Sequence, residues 1–169
     1  FSVGVQDAPA PGSTGWAYEA SGLDLDFLAE GETIAFTFVV SAEDSQGAVA
    51  TDEVRITLTG RNDGPTAIAL DPQTVNEIPG ANAFAADWTT VGTLSSADLD
   101  ATDTHGYTIV GGEDAAAFRV HNGNLLQLAP SAPLDAEYKS EYRVTVRSTD
   151  GQGQSHELAL VVHINDIVT

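Results

Sequence analysis

Residues 141–153 read EYRVTVRSTDGQG, and residues 154–166 continue QSHELALVVHIND. Tyr142, Val144 and Val146 alternate with polar neighbours in the first stretch, as do Leu158, Leu160, Val162 and Ile164 in the second. A period of two built from β-branched and aromatic residues predicts half-buried strands, and TDGQG between them predicts a tight hairpin turn. The same design occurs earlier. AFTFVVSAEDSQG (35–47) alternates Phe36, Phe38 and Val40, and VRITLTGRNDGP (54–65) alternates Val54, Ile56 and Leu58. Both hairpins end in an Asn-Asp pair, Asn62-Asp63 and Asn165-Asp166.

The two hairpins form an internal repeat. Asp44 and Asp150 are offset by 106 (150 − 44), and the two asparagines by 103 (165 − 62). A hairpin recurring after about one hundred residues predicts two tandem domains of one design. The boundary is expected near Gly64-Pro65, where glycine and proline end the strand, giving residues 1–65 and 66–169. Further turn signals stand at NGN (122–124) and GGED (111–114), and EDAAAF (113–118) is long enough for one helical turn. With no long pattern of period 3.6, the fold class is all-β, a sandwich in tandem. The first unit, at about 65 residues, is short for a full sandwich, so it is expected to be either incomplete at its N-terminus or reduced to fewer strands.

Composition narrows the chemistry. Six basic residues face 25 acidic ones in 169, a formal charge of −19, which repels nucleic acid and anionic membranes and suits cations. The absence of cysteine removes disulfides, thiolate metal sites and cysteine nucleophiles. No apolar run approaches the roughly 18 residues that span a bilayer, so membrane insertion is not expected.

The acidic residues gather at turns. SSADLDATD (95–103) holds Asp98, Asp100 and Asp103; LDAE (134–137) holds Asp135 and Glu137; Glu77 and Asp150 stand in VNEIPG and STDGQG. Turn preference explains any one of these singly. The ordered set points to calcium, which takes six to eight oxygen ligands at about 2.3–2.6 Å, mostly carboxylates and carbonyls.

Six segments, in order, resemble a bacterial cadherin-like repeat: Asn76-Glu77, VGTLSSADLD (91–100), FRVHNGNLLQL (118–128), LDAE (134–137), YRVTVRSTDGQG (142–153) and IND (164–166). GWAYEASGLDLDFLAEGETIAFTFVVSAEDSQG (15–47) with VRITLTGRNDGP resembles the C-terminal part of a VCBS repeat, whose usual beginning is not recognisable here. Such repeats stand in tandem in large secreted bacterial adhesins. The resemblance implies a Greek-key, immunoglobulin- or cadherin-like sandwich and an extracellular, cell-surface setting. It also implies Ca2+ between domains, held by Asn62, Asp63, Asp98, Asp100 and Asp150, with Glu32 from the upstream unit. Glu77, Glu137, Asn165 and Asp166 would then form half of a further site, completed by a neighbouring repeat, and Asp44 would face a preceding one. INDIVT lacks the fuller Asp-x-Asn-Asp-Asn of animal cadherins.

Other functions fare less well. His156 and His163 lie seven apart on one strand and should point to opposite faces, poor geometry for zinc. GSTG (12–15) and VGGED (110–114) are not phosphate loops, since no Lys-Ser or Lys-Thr follows. Carboxylate pairs alone do not make a hydrolase without a cleft. Catalysis is not expected. Trp88 in AADWTT keeps a carbohydrate-binding module open as the rival, with a polysaccharide as partner, whereas Trp16 and Tyr18 alternate as core residues. Adhesion to another surface protein, or between copies of this chain, would need an exposed apolar patch.

Overall fold

The computed structural model describes residues 2–6, 13–17, 19, 22, 24–80 and 83–167. The expected burial of Trp16 and Tyr18 lies outside the described side chains. Four sheets are present among the described residues. Strands β1 (Ser2–Gln6) and β2 (Ser13–Ala17) pair with each other, as do β3 (Thr33–Glu43) and β4 (Val49–Thr59).

The remaining strands make a sandwich. One sheet has the order β5 (Ala67–Asp71), β7 (Thr89–Ala97), β10 (Leu125–Leu128), β9 (Phe118–His121). The other has the order β6 (Thr74–Asn76), β12 (Ser155–Asn165), β11 (Glu141–Thr149), β8 (Gly106–Gly111). All pairings are antiparallel except β6 with β12, whose parallel register matches Val75 to Ile164.

The alternation read in the sequence sets which side chains enter the core. From β11 come Tyr142, Val144, Val146 and Ser148, and from β12 Leu160, Val162 and Ile164. The facing sheet supplies Ile68, Leu70, Val91, Leu94, Leu126 and Leu128. Phe118 meets Tyr142 edge to face at 6.3 Å, an arrangement that suits the ring quadrupoles. Tyr142 donates its hydroxyl to the Pro133 carbonyl at 2.7 Å, and burial pushes its pKa up to about 12. The turn expected from EDAAAF is a 3-10 helix, η1 (Ala115–Ala117), leading directly into β9.

The repeat is visible atom by atom in the two hairpin turns. Asp44 Oδ1 accepts the amides of Gln46 and Ala48, both at 2.8 Å. Asp150 Oδ1 accepts those of Gln152 and Gln154 at 2.9 and 2.8 Å. In both, the aspartate amide donates to the carbonyl four residues on. Gly47 and Gly153 close the turns at φ +83° and +95°, a region that L side chains rarely adopt.

The hairpins differ in what covers them. The inward face of β11–β12 is buried under the opposing sheet. On β3–β4 the register sets Ile34 opposite Leu58, Phe36 opposite Ile56 and Phe38 opposite Val54. None of these six is buried.

Candidate metal centre

The segment joining β4 to β5 is fixed by hydrogen bonds to turns of the sandwich. Asn62 donates its side-chain amide to Asp150 Oδ2 at 3.0 Å, and its carbonyl accepts from Gln154 Nε2 at 2.9 Å. The Asp63 amide donates to Asp100 Oδ2 at 2.8 Å. Gly64 lies so close to Gln154 that a Cβ there would come within 2.9 Å of the glutamine Cβ, and Pro65 is buried. Glu32, just before β3, accepts the Ala29 amide on Oε2 and the Thr102 hydroxyl on Oε1, both at 3.2 Å.

These contacts end at a knot of carboxylates. The loop between β7 and β8 folds back on itself: Asp100 donates its amide to Asp98 Oδ1 at 3.1 Å, and Asp103 donates its own to the Asp100 carbonyl. Asp98, Asp103 and Asp150 thereby bring carboxylate oxygens within 4.8 Å of one another. Asp100 is only 2% exposed. Asn62 Oδ1, Asp100 Oδ1 and Asp103 Oδ2 are buried with no hydrogen-bond partner. Such orphans are costly in a folded protein and call for a specific occupant. All three are acceptors amid like charges, the donor set of a hard, oxygen-seeking cation.

The electrostatics agree. Burial, then the charges of Asp100, Asp98 and Asp150, push the Asp103 carboxyl above its ordinary value. Burial works the same way on Asp150, but the hydrogen bonds from Asn62 and the turn amides outweigh it and hold that carboxyl below its ordinary value. His105 places Nε2 2.8 Å from Asp98 Oδ2, beside the knot.

A second acidic group stands at the other end of the sandwich. Glu77, Glu137 and Asp166 bring carboxylate oxygens within 4.8 Å. Glu77 is the organiser: Oε2 accepts the Ala136 amide at 3.1 Å and Oε1 the Ile167 amide at 2.9 Å. Asn165 donates to Asn76 Oδ1 at 3.2 Å. Asp135 is buried and caps the adjoining turn, accepting the Tyr138 amide at 2.9 Å. The nine residues of β11 separate the two groups by roughly 30 Å, at about 3.3 Å per residue.

Of the residues singled out in the sequence, Asn62, Asp98, Asp100 and Asp150 meet at the first knot. Asp63 joins through its backbone, and Glu32 stands at the rim through Thr102. Glu77, Glu137 and Asp166 meet at the second, with Asn165 beside them. Asp44 sits in its own exposed turn. Asp103 was absent from the expected ligands, although it closes the same nine-residue run SSADLDATD. The Asp-x-Asp spacing covers Asp98 and Asp100, and Asp103 stands three residues beyond it.

Comparison with known proteins bears on the fold. Residues 85–165 match the family model of the cadherin domain. Among solved structures, one described as PcdhgB3 EC1-4 is 25% identical with a TM-score of 0.56, over 79% of this chain and 32% of that one. The protocadherin GammaB4 extracellular domain is 23% identical with a TM-score of 0.51, over 79% of this chain and 21% of that one. Protocadherin Gamma B2 extracellular cadherin domains 3-6 are 19% identical with a TM-score of 0.53, over 79% and 31%. The chain thus spans a third or less of the length of the structures it resembles. No curated protein matches. The fold is all-β with a cadherin-like sandwich, and the carboxylate knots lie at the two ends of that cadherin-like unit.

The remaining candidates are placed as well. His156 and His163 share β12 at odd spacing, hence opposite faces, and His163 Nδ1 lies 3.6 Å from Glu141. The guanidinium of Arg119 stacks 4.1 Å from the centre of the Trp88 ring and is itself held by Gln127 at 2.9 Å.

Proposed function

We propose that this chain is a calcium-binding adhesion or spacer segment of a large bacterial surface protein, in which Ca2+ stiffens the junction between two consecutive β-domains, residues 1–65 and 66–169. One observation carries the reading: Asn62, Asp98, Asp100, Asp103 and Asp150 converge on one junction with three buried oxygens lacking a donor. These five residues would hold the ion, with Asp63 and Glu32 at its edge. When bound, calcium would supply positive charge to the oxygens of these residues and would perform no reaction. The chain's own residues set the geometry: Asn62 ties the linker to the hairpin turn, and the Asp63 amide ties it to the Asp-x-Asp loop.

Glu77, Glu137, Asn165 and Asp166 would serve a following repeat of the same polypeptide in the same way. The partners are therefore neighbouring repeats first. The similarity to proteins described as extracellular cadherin domains supports a place outside the cell. An adhesive or spacing role needs no catalytic group, and none is assigned. The carbohydrate reading loses support at Trp88, because Arg119 already covers one face of the ring that a sugar would use.

Thermal unfolding in calcium and in chelator tests the proposal. A ligand at one hundred times its Kd adds about 2.7 kcal/mol to stability. For a chain of this size that is a rise in Tm of roughly 5–10 °C. The rise should vanish in the double variant Asp98→Ala, Asp100→Ala. Equal melting with and without calcium would sink the idea.

A further inference from the structure

We propose that a cavity beside the first carboxylate knot binds a neutral, hydroxyl-rich ligand of the kind a sugar ring presents, and does so without needing an ion. The cavity has a volume of about 510 Å³, within the range of about 300–1,000 Å³ that small-molecule sites occupy. Its walls come from β7, β8, the loop leading into β8 and the turn between β9 and β10. It shares Asp103 with the knot. Ser96, Tyr107, Asn122, Asn124 and Ser148 are not among the residues assigned to the ion, so the proposal stands apart from the calcium reading.

The first observation is a chain of three hydroxyls. Ser148 Oγ lies 2.6 Å from Ser96 Oγ, which lies 3.0 Å from the Tyr107 hydroxyl. Three hydroxyls carry three hydrogens, and two bonds use two of them. Ser148 is 0% exposed, and Ser96 is its one side-chain hydrogen-bond partner among the described residues. A buried donor is rarely left unpaired, so Ser148 gives its hydrogen to Ser96. The spare hydrogen is then on Ser96 or Tyr107, and both line the cavity. The wall therefore offers a donor to whatever enters.

The second is the turn between β9 and β10. Asn122 and Gly123 both have positive φ, 49° and 87°, as a type I′ hairpin turn requires. The Leu94 amide donates to the Asn124 carbonyl at 2.8 Å and fixes this turn against β7. Asn122 and Asn124 line the cavity, and their side-chain amides make no hydrogen bond within the protein among the described residues. Each amide can both donate and accept.

The third is what the lining excludes. Asp103 and a net charge of −19 repel an anion. Leu94 is the one aliphatic side chain of the lining among the described residues and is 1% exposed, so an apolar ligand finds little to touch. A bare cation has no acceptor for the spare hydroxyl hydrogen. A ligand hydroxyl gives one hydrogen and accepts others, and so suits the donor, the two amides and Asp103 alike.

Titration of the full chain with glucose, galactose, mannose and N-acetylglucosamine, followed by NMR shifts in calcium and in chelator, tests the proposal. At least one sugar should shift resonances of Tyr107, Asn122 and Asn124 in both conditions. The triple variant Ser96→Ala, Tyr107→Phe, Ser148→Ala removes the hydroxyl chain without orphaning a hydroxyl in the core, and should weaken binding about tenfold or more. Asn124→Ala leaves that chain intact and should weaken binding severalfold. Trp88→Phe should leave it unchanged, which separates this cavity from a sugar face on the tryptophan. No shift with any of the four sugars, or shifts undiminished in both cavity variants, overturns the proposal. Shifts seen only in calcium would make the ion the anchor and overturn it too. Binding in chelator, with melting indifferent to calcium, would uphold it and remove the calcium reading alone.

Discussion

Asp103 carries two opposite demands. Its Oδ2 is buried without a partner, and its carboxyl sits among Asp98, Asp100 and Asp150. Because its pKa is raised in the folded chain, its ionisation opposes folding: the cost is absent below the ordinary carboxylate value and sets in as pH rises through it. A bound cation reverses that balance. Asp103→Asn should therefore raise Tm in chelator at neutral pH and weaken calcium binding, so that the melting curves of variant and parent cross as calcium is added. Melting curves across a calcium titration check this, and a variant that gains or loses in both conditions contradicts it. The sequence showed Asp103 as one more acidic turn residue. Only the way Asp103 folds back onto the Asp100 carbonyl brings its side chain inward.

At the scale of elements, Asp114 joins three pieces that are distant in sequence. It precedes η1, accepts Lys139 Nζ at 2.7 Å and the Arg143 amide at 2.8 Å, and so ties η1 to the start of β11. Burial alone would raise its pKa, but the Lys139 hydrogen bond and the Arg143 amide bring it below the ordinary value. The sign follows. The contribution is fully present above the ordinary carboxylate pKa and fades as pH falls through the lower folded value. Asp114→Asn should destabilise the chain by about 2 kcal/mol at neutral pH, the scale of hydrogen bonds to a charged group. The difference should shrink below about pH 4. Denaturant unfolding of both proteins from pH 7 downward measures it; a gap independent of pH would rule the account out. The strands themselves were legible. All four long runs of period two are strands, and EDAAAF makes its single turn. Strands β5, β6, β8, β9 and β10 are three to six residues long and carry few alternations each, and their pairing depends on distant partners.

At the scale of the molecule, three hydrogen bonds tie Asn62 and Asp63 of the linker to the carboxylate knot and its turn. If calcium occupies that knot, removing it leaves the carboxylates to repel one another and loosens the segment. Limited proteolysis should then cut near Arg61 in chelator and spare it in calcium. Mass analysis of the fragments reads this directly, and equal cutting in both conditions would count against calcium control of the junction.

The sequence by itself determined the all-β class, the hairpin repeat with its twin aspartate turns, and the acidic character that selects cations. Each depends on neighbours in the chain: period-two alternation, turn chemistry and net charge are local or summed quantities. The tertiary structure alone decided which oxygens are left buried without donors, since Asn62 and Asp150 stand 88 residues apart and meet only once the sandwich has closed. It also decided that two hairpins of one pattern differ in how deeply their alternating apolar side chains are buried. The alternation that marks a face as apolar is the same in both, but whether a second sheet covers that face depends on the strands around it.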